Sequence, residues 1–336
     1  MLLFLAVWTP RVLALDAFVT PDEPLWLYRS ANFYQAVSQG DFAHTIQKEH
    51  PGVTVTWAGA LGFLQRLPGY AQQGPGQLAR EQLEPWLREH STVAPLQLLT
   101  AARWWMVLWI SLLTVAAYFP LRKLFGATIA ALAVIVMGWD PFYIALSRLL
   151  HLDGLLAILT VFALLAFLAW LYGGGQAHYF VLSGLAAGLA CLTKTPALVL
   201  MPTAGLLLLL EWLRRIRVGE GKGPGLLLAF GAWVALVALT FVGLWPAMWV
   251  APLEVFSRIS ATMREYAAGH ELPNFFLGRA TEDPGPLFYP VAYLFRTTPA
   301  VLIGLIAAAV LAWRRRSPFD APIRRRITLG LVVFAL

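Results

Sequence analysis

From residue 104 onward, long apolar segments alternate with short charged ones. The apolar runs fall at approximately 104–121, 126–145, 154–172, 178–193, 196–212, 226–246 and 298–313. A helix needs about 20 apolar residues to cross the hydrocarbon of a bilayer, so the pattern predicts a set of transmembrane helices. The 178–193 run is short and carries Gly184 and Gly188, which predicts a thin helix packed through small residues. The stretch before these runs is different. In 25–39, Trp26, Phe33 and Val37 share one helical face while Arg29, Asn32 and Gln39 lie on others, predicting an amphipathic helix resting in the membrane interface. A second mixed stretch covers 50–67, a Gly/Pro/Gln loop covers 69–77, and 78–90 is a charged helix.

The expected organisation is one transmembrane domain over 1–336. A first span at 1–15 precedes a long loop at 16–103. Six spans fill 104–246, a second loop opened by Trp245-Pro-Ala-Met-Trp249 fills 247–297, and the last spans fill 298–336. The 1–15 run is shorter than a span and the apolar run after Arg326 stops early, so the chain is expected to be cut at one or both ends. It shows neither a fixed-period repeat nor a basic region and small-residue cleavage site of the kind that marks a secretory signal.

Composition agrees with lipid as the solvent. The 336 residues are 59% hydrophobic and 13% charged, against about 25% charged for a soluble domain. Fourteen Trp suit the lipid–water boundary. The net charge of +7 does not form a basic patch interleaved with aromatics, so nucleic acid is not an expected partner. The charge instead reports topology. One set of connections holds twelve Lys/Arg (Arg122, Lys123, Arg214, Arg215, Arg217, Lys222, Arg314–Arg316, Arg324–Arg326) against three acids, Glu211, Glu220 and Asp320. The other face has thirteen against fifteen, spread over far more residues. The short basic loops are therefore read as cytoplasmic, and both long loops as extracytoplasmic. Cys191 is the only cysteine, which excludes an intramolecular disulfide and a cysteine metal site.

Four features fall on the outward face: Asp22-Glu23, the Arg148–Asp153 stretch, Lys194 between two spans, and the late loop with Arg258, Arg264, Arg279, Glu282-Asp283, Tyr289 and Arg296. Ionisable residues at membrane depth are costly and point to function. Each also has a structural reading. Thr20-x-x-Glu23 followed by Pro24 has the form of a helix-start capping box. Asp153 can cap its helix, Lys194 can snorkel, and His50 can be an ordinary loop histidine. No zinc-ligand spacing, P-loop, dinucleotide fingerprint or Gly-x-Ser-x-Gly elbow is present.

Taken in order, Asp22-Glu23, His50-Pro-Gly-Val53, Arg148 through Asp153, Gly184 through Pro196, Gly285-Pro-Leu-Phe-Tyr-Pro290 and Thr298-Pro299 resemble the membrane glycosyltransferases that use lipid-linked sugars. The nearest groups are the protein O-mannosyltransferases and the aminoarabinose transferase that modifies lipid A. The resemblance implies an all-α polytopic membrane protein with the GT-C glycosyltransferase fold, its two long extracytoplasmic loops carrying interfacial helices. It implies a polyprenyl-phosphate sugar as donor, Asp22 as catalytic base, Glu23 beside it as a second catalytic carboxylate, and Asp153 as a further catalytic acidic position. Lys194 matches the phosphate-binding lysine, with Arg148, Arg296, Tyr289 and His50 as further substrate-binding positions. The chemistry is coherent, since displacement at an anomeric carbon needs a carboxylate to take the acceptor proton and cations to receive the leaving phosphate. Some relatives carry a divalent metal near the acidic pair, for which Glu49 and His50 beside Asp22 are candidate ligands. A transporter or flippase for lipid-linked sugars, or an inactive scaffold of the same fold, are the alternative readings.

Overall fold

The computed structural model describes residues 1–48, 51–219, 224–267 and 274–313. Over these residues the regular elements are helices except for one hairpin, in which Asn274–Phe276 pairs antiparallel with Arg279–Thr281. Four helical stretches are long and apolar enough to cross a membrane: Pro95–Phe125, Leu152–Tyr172, Thr195–Arg217 and Gly225–Leu244. Two bent pairs raise the number to six if each is one span. Leu2–Val12 and Ala177–Thr193 are apolar but shorter. The helices that position the site are α1 (Leu2–Val12), α2 (Glu23–Gln39), α3 (Val53–Arg66), α4 (Pro95–Ala116), α5 (Leu152–Tyr172), α6 (Ala177–Thr193) and α7 (Pro224–Leu244).

The span expected over 126–145 is broken: Ala127–Gly138 and Pro141–Ser147 meet at 66°. Asp140 Oδ1 accepts the Tyr143 N–H at 2.8 Å, with Pro141 at the first helical position. That combination starts a new helix rather than continuing the old one. The buried Arg11 of α1 braces the break, donating to Gly138 O at 2.7 Å and to Ser147 Oγ at 2.9 Å, one contact on each half.

The polar side of α2 is covered by the Gly/Pro loop. Asn32 donates to Leu78 O and accepts from Leu78 N, both at 2.9 Å. Gln35 donates to Gly74 O at 2.5 Å and accepts from Gly76 N at 3.0 Å. The Gly/Pro loop has no ladder of its own, so buried side-chain amides satisfy its backbone. Helix α3 packs on α2 and α4, with Phe33 edge-on to Trp57 at 5.0 Å. The small residues of α6 do what their spacing predicts: a Cβ on Gly184 would meet Leu236 at 2.6 Å, and one on Gly188 would meet Thr240 at 2.5 Å, both on α7.

Candidate active site

The segment before α2 is anchored by Glu23, whose side chain has no exposed surface. Arg103 of α4 holds it bidentately, Nε to Oε1 at 2.6 Å and Nη2 to Oε2 at 2.5 Å. The Leu150 N–H donates to Oε1 at 3.0 Å, and the Thr20 N–H and hydroxyl each donate to Oε2 at 2.9 Å. Arg103 also donates to the carbonyls of Leu15 and Phe18. Burial pushes the Glu23 carboxyl up, but the bonds from Arg103, Thr20 and Leu150, with the arginine charge, outweigh it and hold the group below the ordinary carboxylate range. The capping-box form of Thr20-x-x-Glu23 is thus real in its Glu23-to-Thr20 half, while Asp22 sits at the helix start without capping it.

Asp22, left free by this arrangement, is 61% exposed and reaches a chain of polar groups. Its Oδ2 lies 3.5 Å from His151 Nε2, His151 Nδ1 lies 3.6 Å from Asp153 Oδ2, and Lys194 Nζ donates to Asp153 Oδ1 at 3.1 Å. His151 is the N-terminal cap of α5, its Nδ1 facing the Asp153 N–H at 3.4 Å. Lys194 ends α6. Gly52 is brought there too: with φ of 62°, a conformation favouring glycine, it starts α3 and donates its N–H to Thr193 O at 3.1 Å. The Thr54 and Thr193 hydroxyls add a contact at 2.8 Å.

The structure therefore brings Asp22, Asp153 and Lys194 together and places Glu23 behind them as an anchor. Arg148 is turned toward the backbone, donating to the carbonyls of Leu13 and Ala14. Arg296 lies over the Phe142 ring at 5.8 Å, and Tyr289, on the same helix Phe288–Arg296, is exposed. Neither is bonded to the cluster. His50 and Glu49 lie outside the described residues. Among the described residues, no group of three His, Cys, Asp or Glu is arranged to hold a metal ion. Two residues of the cluster were given no role from sequence, although His151 lay within the Arg148–Asp153 stretch. His151 had no metal spacing to mark it, and Arg103 was placed just outside the apolar run it belongs to.

Beside the cluster runs an apolar groove of about 540 Å³. Thr54 and Trp57 of α3, Trp109 and Leu113 of α4, Leu155 and Leu159 of α5, and Leu189 and Leu192 of α6 line it. Leu192 is two residues from Lys194, and Thr54 touches Thr193. The groove's near end thus adjoins the polar chain.

The candidate membrane spans fit the class that the family comparison implies, the membrane glycosyltransferases of the GT-C fold. Within that class the chain matches the profile of the dolichyl-phosphate-mannose-protein mannosyltransferase family over residues 85–245, just under half of the sequence. It is a glycosyltransferase with a lipid-phosphate-linked sugar donor. The matched segment holds Arg103, His151, Asp153 and Lys194, whereas Asp22 and Glu23 precede it. No curated protein and no solved structure gives a significant match.

Proposed function

We propose that the protein transfers a sugar, mannose or another hexose or pentose, from a polyprenyl-phosphate donor to a hydroxyl of an extracytoplasmic protein, lipid or glycan. The reading rests on one observation: an exposed carboxylate, Asp22, connects through His151 and Asp153 to Lys194, at the end of a groove with almost no polar lining. The acceptor oxygen attacks the anomeric carbon as its proton passes to Asp22. The bond from that carbon to the phosphate oxygen breaks, and the electron pair leaves with the polyprenyl phosphate. Lys194 receives the growing charge on that phosphate, exchanging part of its contact with Asp153, and Asp153 is left to orient sugar hydroxyls. The groove takes the first prenyl units, which fixes the phosphate at its polar end. The density of Lys/Arg in the short loops supports an extracytoplasmic site.

The test is Asp22→Asn, which keeps size and most hydrogen bonding. In proteoliposomes with polyprenyl-phosphate mannose, the variant is expected to insert and bind donor normally while losing about 100-fold or more in transfer rate. Transfer at the wild-type rate sinks the base assignment. Movement of labelled lipid-linked sugar across vesicles, with no new glycosidic bond, would indicate a flippase instead.

A further inference from the structure

We infer that His151 is a positioning residue for Asp22, donating a hydrogen bond that holds one carboxylate oxygen and turns the other to the acceptor. The inference rests on the reading of Asp22 as base. Among the described residues, His151 is the side chain that bridges the two halves of the polar cluster. Its Nε2 faces Asp22 Oδ2 at 3.5 Å and its Nδ1 faces Asp153 Oδ2 at 3.6 Å. The side chain is only 19% exposed, so the protein rather than solvent fixes its orientation.

The direction of the bond follows from what surrounds each ring nitrogen. The Asp153 N–H points at the Nδ1 lone pair from 3.4 Å, because His151 caps α5. In the neutral ring, a lone pair used at Nδ1 leaves the proton on Nε2, the atom that faces Asp22. Lys194, at 3.1 Å from Asp153 Oδ1, balances that carboxylate and reduces its competition for the ring proton. Asp22 makes no cap hydrogen bond with its own helix, so its carboxylate has no other fixed orientation. Catalytic contacts of this kind are commonly long before substrate arrives and tighten in the complex. Closing 3.5 Å to hydrogen-bond length takes a few tenths of an ångström.

The experiment compares His151→Leu, His151→Gln and the pair Asp22→Asn with Asp22→Asn/His151→Leu, all purified in detergent, with polyprenyl-phosphate mannose as the probe. Leu removes the donor, whereas Gln offers an amide N–H close to the Nε2 position. His151→Leu is expected to lower kcat about tenfold, one hydrogen bond to a charged group, with donor KM unchanged. His151→Gln is expected to recover most of that loss. On the Asp22→Asn background, the Leu substitution is expected to change the residual rate by less than twofold, because the group it orients is gone. Wild-type kcat in His151→Leu, or Gln no better than Leu, overturns the inference. So does a full tenfold effect on the Asp22→Asn background. Asp22→Asn alone decides the base reading: if it is inactive while His151→Leu is normal, the base stands and the positioning role falls.

Discussion

Glu23 and Arg103 stand 80 positions apart and meet as a bidentate ion pair with almost no exposed surface, one residue from the exposed Asp22. The pair ties the start of α2 to the span α4, and through Leu150 N–H to the turn that presents His151 and Asp153. Removing one member leaves the other charged and enclosed, a situation that typically costs 3–5 kcal/mol. Arg103→Ala and Glu23→Gln are each expected to lower the unfolding temperature in detergent and to lower transfer, since Asp22 loses its anchor. The double variant Glu23→Leu/Arg103→Leu is expected to be less unstable than Arg103→Ala, because no unpaired charge remains.

The same pair sets a pH response. Glu23 has a folded pKa held below its unfolded value of about 4.3, so its contribution to stability is fully present above that value. It is lost as pH falls through the depressed folded pKa. Thermal unfolding of the wild type should therefore stay level from about pH 7 to pH 5 and weaken below about pH 4. Glu23→Gln should start lower and show a shallower acid loss. Parallel curves for the two proteins would remove Glu23 as the source of the response.

Lys194 is where donor phosphate is expected to register. Lys194→Ala should raise donor KM about tenfold to a hundredfold, the range for a hydrogen bond to a charged group. Lys194→Arg should fall between, because a planar fork replaces a point charge. Steady-state kinetics at saturating acceptor measures both. An unchanged donor KM in Lys194→Ala would mean that the lysine only neutralises Asp153.

The apolar groove predicts dependence on the lipid tail. Leu189→Trp fills part of its roughly 540 Å³ volume from α6. The KM for a long-chain polyprenyl donor is expected to rise several-fold, while a short-chain analogue that does not enter the groove should be little affected. Equal effects on both donors would detach the groove from the prenyl chain.

Much of the membrane architecture was legible because hydropathy acts over whole segments, and Gly184 and Gly188 announced a close helix contact that the structure contains. The breaks were harder. Asp140-Pro141 is a helix-start signal lying inside an apolar run, and a window that averages over 20 residues hides it. Arg103 carried no reading of its own, because the apolar run was taken from about residue 104, whereas the helix starts at Pro95 and pairs that charge with Glu23. Asp22, Asp153 and Lys194 could be named from short motifs, but only three-dimensional packing shows that His151 joins them. A clue existed in its position just before a helix whose second residue is an acid.

Gly52 gives the most local prediction. It lies between Pro51 and α3 with φ of 62°, and its N–H reaches Thr193 O beside Lys194. A side chain with a Cβ pays roughly 1–2 kcal/mol in that left-handed conformation. Gly52→Ala is therefore expected to destabilise the protein by about that amount, and Gly52→Asn by less, because Asn tolerates the region better. Any relaxation of the loop would shift α3 against the end of α6, so donor KM should rise more in the Ala variant than in the Asn variant. Calorimetric unfolding together with donor kinetics tests the order. A Gly52→Ala protein as stable and as active as wild type would show that this turn does not hold the lysine in place.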